Sequence, residues 1–414
     1  MRTPLRRVTI VQALDAMAQF PVRRARSERV ALDRLDGRTL ARPVVSPEDV
    51  PAFDRSMVDG FAVIAAQVKG ASKDKPVRLR ITDEVLMGHV SRVRVEAGDA
   101  VAVPTGGAIP DGATGVVKIE DTQARDGDIL VFDGEDSEDR VNHARSDLSA
   151  GELLAPAGRV VDPALLGTLG AAGVDAAEAF VPPTIGVLVT GDELVSPGAP
   201  MSKGQIRESN GSALCAALAA LGFAPKRYER VRDERDTFTR ALGLALRECD
   251  GVLISGGSSV GARDLTPQLV GEAGEPGVIV HGVTVRPGRP VLLAMIGDQP
   301  VLGLPGNPVS TLVMFEALAK PILLRMMDKT DDTLPLRATL AAPIEVGPGL
   351  EHRVPVRLVR STDGLRATPL IGTSSQTHIL AFADGLVIVP LDTTFVAAGA
   401  AVDVWPFTRS RTMR

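Results

Sequence analysis

The sequence predicts a multi-domain chain of class α/β plus β, with a doubly wound parallel α/β domain near its centre. Three observations support this class. Apolar strand-like runs alternate with helical segments over residues 184–326, short alternating strands fill residues 51–147, and short strands return from Leu334 onward. The length of 414 residues exceeds the ~100–200 residues of one ordinary domain, so we expect two to four domains.

The first predicted helix covers residues 10–20. Thr9 and Gln12 form a capping-box pattern, and apolar side chains then recur at helical spacing. The chain is punctuated by proline between Pro43 and Pro51. The region after it contains predicted strands at residues 77–81, 92–95 and 116–119. The acidic stretch 126–139 is predicted to be an exposed loop or hairpin with a solvated face.

From Thr184 the pattern changes to strand, loop and helix. The predicted strands cover residues 185–189, 252–254, 278–285, 291–295 and 301–304. The predicted helices cover residues 211–221, 237–247, 265–270 and 308–326, and Pro308 occupies the favoured first turn. This alternation predicts a parallel, doubly wound sheet. The tail has predicted strands at residues 354–359, 386–389 and 401–405, which indicate a small β-barrel or sandwich.

The composition excludes several classes of protein. The net charge of -5 argues against a general nucleic-acid binder, because such proteins need a basic surface to displace counterions. The two cysteines, Cys215 and Cys249, lack the close spacing of a disulfide scaffold or a structural zinc site. The scattered histidines indicate neither a metal cluster nor a Ser–His system. We find no signal-peptide core and no run of ~20 apolar residues, so we expect a cytoplasmic protein without a membrane segment.

The most informative motif covers residues 252–264. An apolar strand leads directly into a loop of small residues, Ser255-Gly256-Gly257-Ser258-Ser259, and a predicted helix follows. Such a loop offers many backbone N–H groups around one point, where a phosphate or another oxyanion can bind. The motif lacks the Gly-Lys-Ser/Thr of a P-loop and the spacing of a G-x-G-x-x-G fingerprint, so it predicts a different kind of anion site.

Two further loops leave the carboxyl ends of predicted strands, TGDE at residues 190–193 and GLPGNP at residues 303–308. Ligands of open α/β sheets bind at that edge. Arg286 and Arg289 flank a Pro-Gly turn and suit a phosphate or another tetrahedral dianion. Glu193 and Asp264 would repel an anionic substrate, so we expect a divalent cation between them, and Mg²⁺ is the natural choice.

Each of these features also has a purely structural explanation. The two glycines can serve a tight turn, Asp192 and Glu193 can form an acidic pair at a helix start, and residues 305–308 can be a rigid connector. The two arginines, taken alone, can be surface cations. The joint occurrence of the loops and the arginines favours a binding site.

Seven motifs of the chain resemble, in the same order, those of the MoeA-like molybdopterin molybdenumtransferases, which are related to the carboxy-terminal enzyme domain of gephyrin. The motifs are PAFDRSMVDGFAV (51–63), PTGGAIPDGATGVVKIED (104–121), TGDELVSPG, GQIRESN (204–210), SGGSSVGARD, RPGRP and GLPGNPVS. The match covers nearly the whole chain.

The resemblance implies a discontinuous linking domain (residues 1–50 and 148–181), a β-rich domain (51–147), an α/β molybdopterin-binding domain (182–330) and a C-terminal β-barrel domain (331–414). It implies an elongated homodimer, with the active cleft between the α/β domain of one subunit and the β-rich domain of the other. The implied reaction converts adenylylated molybdopterin and molybdate to molybdenum-loaded molybdopterin and AMP. A pathway enzyme would supply the adenylylated pterin.

The resemblance transfers six catalytic positions to this chain: Asp59, Thr105, Asp147, Glu193, Asp233 and Asp264. We hypothesise that Glu193, Asp233 and Asp264 hold Mg²⁺ or its waters, so that Asp264→Asn abolishes AMP release and spares the fold. The residues expected to bind the pterin phosphate and the oxyanion are Thr190, Gly191, Asp192, Ser209, Asn210, Ser255, Gly256, Gly257, Ser258, Ser259, Gly261, Arg286, Arg289, Pro305, Gly306, Asn307 and Pro308.

Some positions depart from the family pattern. Arg55 replaces an asparagine, Phe61 replaces a tyrosine, and the two arginines of RPGRP stand where lysines are common. The connector at residues 142–152 is shorter than the family pattern and lacks an arginine near Asn142. These departures are consistent with a specialised paralogue. Two other functions stay open, a noncatalytic pterin-binding scaffold and a different AMP-releasing transferase or pyrophosphatase, and the choice between molybdate and tungstate is open as well.

Overall fold

The computed structural model describes residues 5–256 and 265–408. Within them, the largest sheet has seven strands, and the order across the sheet is Leu5–Val8, Pro276–Val283, Leu292–Ile296, Gln299–Leu304, Gly251–Ser255, Thr184–Val189 and Ala224–Arg227. Neighbouring strands are parallel except on both sides of Leu292–Ile296. This strand runs antiparallel because only Gly297 and Asp298 connect it to Gln299–Leu304, and a two-residue connection makes a hairpin. The sheet is therefore mixed where the sequence predicts a parallel one.

Helices cover both faces of this sheet, so the doubly wound α/β arrangement is confirmed. Val187, Leu253 and Leu302 point into one core with helices Ile10–Ala18, Asn210–Ala220, Pro308–Met314 and Lys320–Leu324. Leu188 and Val301, next to them in the strands, point into the other core with helices Arg235–Glu248 and Thr266–Glu272. Alternate residues of a strand face opposite sides of a sheet, and here both sides are apolar because both are covered.

The first helix, Ile10–Ala18, begins as predicted. The hydroxyl of Thr9 accepts a hydrogen bond from the amide of Gln12 at 3.2 Å, and the Gln12 side chain accepts one from the amide of Thr9 at 3.0 Å. These two bonds satisfy amides that have no partner within the helix.

The predicted helix at residues 308–326 is divided in the structure. Helix Pro308–Met314 continues into a π-helical turn, Phe315–Ala319, and then into Lys320–Leu324. Pro321 has no N–H for the carbonyl four residues before it, and such a gap in the hydrogen-bond ladder favours a wider turn. The three segments nevertheless continue one another and pack against the same face of the sheet.

The β-rich region contains a sheet with the strand order Gly115–Lys118, Gly60–Val63, Asp99–Val103, Val77–Glu84, Asp128–Val131 and Thr122–Arg125. The predicted hairpin in the acidic stretch is present, and its turn residues Asp126 and Gly127 both have positive φ, 51° and 85°. The strand predicted at residues 92–95 is wrong. There the Ser91 hydroxyl accepts from the amide of Val93 at 3.0 Å, and this local turn replaces a strand.

A separate small core joins segments from before and after the β-rich region. Strand Ser27–Ala31 pairs with Ala176–Phe180, and Val44–Val45 pairs with Leu153–Ala155. Helix Pro163–Ala171 packs on them through Leu169, which is fully buried with Leu35 and Leu40. Contacts between distant segments explain how such a unit can be discontinuous in sequence, while the domain boundaries given above stay predictions.

The C-terminal region contains a closed β-barrel, as predicted. The strands follow one another around it in the order Glu351–Ser361, Gly364–Pro369, Leu336–Leu340, Ala401–Pro406 and Gly385–Val389, and the last pairs with the first. The short strand Val285–Arg286 pairs with Glu351 and His352 and so links the α/β region to the barrel. Smaller elements are helices Ala65–Val68 and His378–Phe382 and the paired strands Arg55–Ser56 with Val141–Asn142, Leu194–Val195 with Ile206–Arg207, and Ile344–Glu345 with Phe395–Val396. In the described part of the chain, no helix is both long and apolar enough to cross a membrane.

Candidate functional site

A cleft of about 790 Å³ opens at the carboxyl ends of the central strands. The loops singled out from the sequence all contribute to it, together with the segment that enters helix Asn210–Ala220. The predicted site residues that line the cleft are Thr190, Gly191, Glu193, Ser209, Asn210, Asp233, Ser255, Gly256, Pro305, Gly306, Asn307 and Pro308. Their role in binding stays a prediction, but the fold brings them to one place.

Register between the strands explains this convergence. Ser255 pairs with Val189 on one side and with Leu304 on the other, so three strands end at the same level. The amide of Thr190 donates to the carbonyl oxygen of Ser255 at 2.9 Å, and the amide of Gly256 donates to the carbonyl oxygen of Leu304 at 3.3 Å. The loops are thus tied together at their first residues.

Gly256 is required at the start of the central loop. Its φ is +98°, a value that side-chain-bearing residues rarely adopt. A Cβ there would lie 2.4 Å from the carbonyl oxygen of Thr190, which is backbone and cannot move aside. The chain can therefore pass close to the neighbouring loop only with glycine at this position.

Five predicted site residues fall outside the described part of the chain. They are Gly257, Ser258, Ser259, Gly261 and Asp264. The centre of the predicted anion loop and one of the three predicted metal ligands therefore stay predictions.

Three carboxylates lie together at the rim of the cleft. Asp233 is an exposed residue whose carboxylate is partly shielded from water. This shielding and the charges of Asp192 and Glu193 raise its pKa, although a backbone hydrogen bond from Asp192 opposes the shift. The buried Thr190 hydroxyl lies near the Asp233 carboxylate but does not reach hydrogen-bonding geometry with any described residue. The repulsion among these carboxylates favours a cation beside Asp233, although Arg207 also lines the cleft and Arg230 donates to the carbonyl oxygens of Gly191 and Asp192.

These residues suit a cation that binds few protein ligands. Within residues 5–256 and 265–408, no group of three His, Cys, Asp or Glu side chains is arranged to hold a metal ion. Mg²⁺ usually binds through one or two carboxylates and completes its shell with water and substrate phosphates. Glu193 and Asp233 fit that requirement in type and charge.

The two arginines of the RPGRP motif do not enter this cleft. Arg286 lines a second cavity of about 470 Å³, which lies against the barrel and includes His352 and Arg353. The pKa of His352 is lowered, first by burial and also by the charge of Arg286, and its Nε2 lies 3.1 Å from the carbonyl oxygen of Gly347. Arg289 is exposed. The cavity carries mixed charge, because Glu345 also lines it and Arg353 Nε lies 2.7 Å from Glu351 Oε1. Ser374 lines both this cavity and the cleft.

Asp59, Thr105 and Asp147 lie in other parts of the chain and do not line the cleft. Asp59 Oδ1 accepts hydrogen bonds from the amide and the hydroxyl of Thr105, at 2.7 and 3.0 Å, and these bonds lower the pKa of Asp59. Both residues are exposed, so Asp59 presents a charged carboxylate to solvent. Asp147 is exposed in the connector, where its amide donates to the carbonyl oxygen of Val50 at 3.1 Å.

Comparison with known proteins shows which family this chain belongs to. Family models match residues 8–173 ("MoeA N-terminal region (domain I and II)"), 186–325 ("Probable molybdopterin binding domain") and 337–407 ("MoeA C-terminal region (domain IV)"). A curated molybdopterin molybdenumtransferase 2 of Mycobacterium tuberculosis is 32% identical over 404 residues, covering 96% of this chain and 99% of that protein. The chain belongs to the molybdopterin molybdenumtransferase family.

Two further relatives agree with this family assignment. The molybdopterin molybdenumtransferase of Bacillus subtilis is 33% identical and covers 97% of this chain and 94% of its own length. A crystal structure of the molybdopterin biosynthesis MoeA protein of Pyrococcus horikoshii superposes with a TM-score of 0.84 at 32% identity, covering 97% of this chain and 99% of that one. The multi-domain fold therefore extends along the whole chain.

Within this molybdopterin molybdenumtransferase fold, two of the departures from the family pattern, Arg55 and the connector that begins at Asn142, are neighbours. Arg55 and Asn142 face each other in the short antiparallel ladder of Arg55–Ser56 with Val141–Asn142. The connector that follows is held by Asp54, whose carboxylate accepts from the amide of Ala144 at 2.8 Å and lies 3.1 Å from Nδ1 of His143. The connector, which is predicted to be shorter than the family pattern, is thus tied to Asp54 by its own hydrogen bonds.

Two contributions to the cleft of this molybdopterin molybdenumtransferase lie outside the residues predicted from the sequence. Ser374, Ser375 and Thr377 come from the C-terminal region, and Asn307 Nδ2 donates to Ser374 Oγ at 2.9 Å. The run of small polar residues at 372–375 is a signal that resembles the other loops. Glu208, which is 5% exposed and paired with Arg227, also lines the cleft. It belongs to the GQIRESN motif, and only the structure shows that it is buried.

Proposed function

We propose that this protein is a molybdenum insertase, which converts adenylylated molybdopterin and molybdate to molybdenum-loaded molybdopterin and AMP in the presence of Mg²⁺. The observation that carries the proposal is the convergence of three strand-end loops and of Glu193 and Asp233 on one cleft, in a chain of the molybdopterin molybdenumtransferase family. A site with small-residue loops beside repelling carboxylates suits a phosphorylated substrate that arrives with a cation.

In this proposal the phosphates bind against the loops around Ser255 and Gly306. Ser255 is almost fully buried, 1% exposed, and its hydroxyl lies in the wall of the cleft. Gly191 and Gly256 line the cleft without side chains, and the predicted residues from Gly257 to Ser259 would extend the same surface. The pterin phosphate would thereby meet the Ser255 hydroxyl and these loops, with Arg207 as a cation in the same lining.

Glu193, Asp233 and Asp264 would hold Mg²⁺ directly or through its waters. When bound, the cation supplies positive charge that neutralises the phosphates and the developing charge on AMP as it leaves. The pKa of Asp233 is raised first by burial and also by the charges of Asp192 and Glu193, and a bound cation would offset that repulsion.

The oxyanion would bind beside the cleft, in the cavity that Arg286 lines. Arg353 is paired there with Glu351 and Glu345 adds a negative charge, so the exposed Arg286 would supply the guanidinium group for molybdate, a tetrahedral dianion of the kind that arginines bind. Because Ser374 lines both spaces, an oxyanion in the cavity would lie next to a pterin in the cleft. Exposed Arg289 would attract the anion toward this entrance.

Asp59, Thr105 and Asp147 would act on the substrate from the second subunit of a homodimer. In one chain the Asp59–Thr105 pair lies apart from the lining of the cleft, yet it presents a charged carboxylate to solvent. A partner subunit that covers the cleft with its β-rich region would place these groups near the substrate. We further propose that a pathway enzyme delivers the adenylylated molybdopterin and that the protein acts in the cytoplasm.

AMP release tests the reaction directly. Purified protein is incubated with adenylylated molybdopterin and Mg²⁺, and AMP is measured while molybdate or tungstate is titrated. We expect molybdate-stimulated AMP release that Glu193→Gln and Asp264→Asn abolish, because both lose a ligand charge. Asp236→Asn is the matched control, since it removes an exposed acid of the same charged segment outside the cleft.

The same assay distinguishes the two rival functions. AMP release that is independent of any oxyanion would support a different transferase or pyrophosphatase. Tight binding of the adenylylated pterin without AMP release, with or without Mg²⁺, would support a noncatalytic scaffold. Either result rules out the proposed insertase.

A further inference from the structure

Asn210 lies where the loops of the cleft meet. It is the first residue of helix Asn210–Ala220 and only 9% exposed. Its side-chain amide nitrogen donates to Ser255 Oγ at 2.9 Å and to the carbonyl oxygen of Gly306 at 2.7 Å. One side chain thus ties the central strand-end loop to the loop at residues 303–308.

Both hydrogens of the Asn210 side-chain amide take part in hydrogen bonds. The amide nitrogen of asparagine carries two hydrogens, and both are directed to protein acceptors. Its orientation is determined, because the carbonyl oxygen of Gly306 can only accept a hydrogen bond. The other end of the amide is an acceptor oxygen, which would repel a phosphate. Asn210 is therefore poorly suited to bind the anion itself.

The bond from Asn210 has a consequence for Ser255. The amide nitrogen has no lone pair to offer, so the serine hydroxyl accepts this hydrogen bond and keeps its own proton for another acceptor. Ser255 lines the cleft and is held by a rigid strand end. Its hydroxyl is consequently oriented as a donor, which is what a phosphate oxygen in the cleft requires.

Glu208 stabilises the first turn of the helix that begins at Asn210. Its carboxylate accepts from the amide of Gly211 at 2.6 Å and forms an ion pair with Arg227, while Arg227 also donates to Ser212 Oγ at 2.9 Å. Glu208 is 5% exposed, so its charge is balanced by Arg227 and by the helix amide and not by water. The first turn of the helix is therefore fixed relative to the sheet.

We propose that Asn210, backed by Glu208, is a positioning residue that orients the Ser255 hydroxyl and the loop at residues 303–308 toward a phosphate in the cleft. The identity of the phosphate as that of the pterin substrate rests on the function proposed above. The positioning itself is a property of the ligand-free protein, so the two can be tested separately.

Hydrogen exchange of the ligand-free protein tests the positioning. We expect Asn210→Ala and the nearly isosteric Asn210→Asp to reduce the protection of amides in segments 254–256 and 304–308 by about tenfold or more, because each removes the hydrogen bonds to buried Ser255 and to the carbonyl oxygen of Gly306. Thr168→Ala is the matched control. It removes a hydrogen bond to the carbonyl oxygen of Ala164 in helix Pro163–Ala171, away from the cleft, and should leave both segments unchanged. Unchanged protection in both Asn210 variants would overturn the proposal.

A double-mutant cycle then distinguishes positioning from direct contact. Asn210→Ala, Ser255→Ala and the double variant are compared by KM for adenylylated molybdopterin in the AMP-release assay. If Asn210 acts through Ser255, KM of the double variant is no higher than that of the worse single variant. Effects on KM that multiply would overturn the proposal, because they show independent contacts with the substrate. If the wild-type protein releases no AMP, the proposed reaction fails while hydrogen exchange still decides the positioning.

Discussion

Ionisation of the site residue Asp233 lowers the free energy of unfolding of the ligand-free protein. Its pKa is raised from the usual value of 3.8 by loss of water and by two neighbouring carboxylates. Between 3.8 and this raised value, the native state binds more protons than the unfolded chain, so the free energy of unfolding falls as pH rises through that interval. At neutral pH the charged carboxylate therefore destabilises the ligand-free protein.

Replacing Asp233 by asparagine should make the ligand-free protein more stable and less active. We expect Asp233→Asn to raise the melting temperature at pH 7, and the gain to disappear below pH ~3.8, where the wild-type residue is protonated. Mg²⁺-dependent AMP release should fall in the same variant. Thermal unfolding across pH measures the first effect, with Asp236→Asn as control. A melting temperature that is lower than wild type at pH 7 contradicts the assignment.

At the scale of elements, two glycines differ in the space that the structure leaves for a Cβ. We expect alanine to change the free energy of unfolding in opposite directions at these two positions. Gly256 ends the strand Gly251–Ser255 with φ +98° and has no space for a Cβ. Gly167 lies inside helix Pro163–Ala171, and nothing lies within 4 Å of the Cβ that it lacks. The cost or benefit of alanine is thus decided by the surroundings of each element.

The matched pair of substitutions can be measured by denaturant unfolding. Gly256→Ala should destabilise the α/β region by about 1–3 kcal/mol, because it combines backbone strain with a steric clash. Gly167→Ala should stabilise its helix by roughly 0.5–1 kcal/mol, because alanine restricts the unfolded chain and fits the helix. Equal changes in the free energy of unfolding would contradict the difference in local geometry between Gly256 and Gly167.

A buried ion-pair cluster attaches helix Lys320–Leu324 to the segment that leads into the barrel. Lys320 is 5% exposed, and its Nζ lies 2.9 Å from Asp331 Oδ1 and 3.4 Å from Glu316 Oε2. Burial alone would raise the pKa of Asp331, but the Thr333 hydroxyl and the Lys320 charge outweigh it and lower that pKa. Lys320 is thus a cation shared by these two carboxylates.

Removing Lys320 should therefore be costly. We expect Lys320→Met to lower the free energy of unfolding by about 3–5 kcal/mol, because it leaves partly buried carboxylates without a cation. Arg125→Ala is the control, since the Arg125–Asp126 pair is exposed, with 82% and 83% of the side chains accessible, and should change stability by less than ~1 kcal/mol. Denaturant titration compares the two, and similar losses would argue against a structural role for the cluster.

At the scale of the whole molecule, the proposed site requires two subunits. Mixing subunits with Asp59→Asn and Glu193→Gln should restore activity, although each homodimer is impaired. Half of the randomly formed dimers are hybrids with one intact cleft of two, so about a quarter of the wild-type AMP release is expected. Mixing Asp59→Asn with Thr105→Ala is the control, because both changes lie in the same region and every cleft stays defective. Equal rescue in both mixtures, or rescue in neither, contradicts a shared cleft.

Much of the architecture could be predicted from local patterns. The capping box of Thr9 and Gln12, the strand at Thr184–Val189 and the helix at Asn210–Ala220 all follow from periodicity and end signals within a few residues. The strand-end position of the cleft loops follows from the alternation of strands and helices, since parallel strands end at one edge. The order of the motifs was sufficient to indicate the family.

Contacts between distant segments were decided by packing in three dimensions. Strand Leu5–Val8 joins Pro276–Val283, and Ser374 reaches the cleft from beyond the barrel strand Gly364–Pro369. The same packing separates Arg286 from the cleft and aims the amide of Asn210 at Ser255. Local sequence records which conformation each segment prefers, whereas these pairings depend on which surfaces remain to be buried once the segments meet, and no pattern within one segment carries that information.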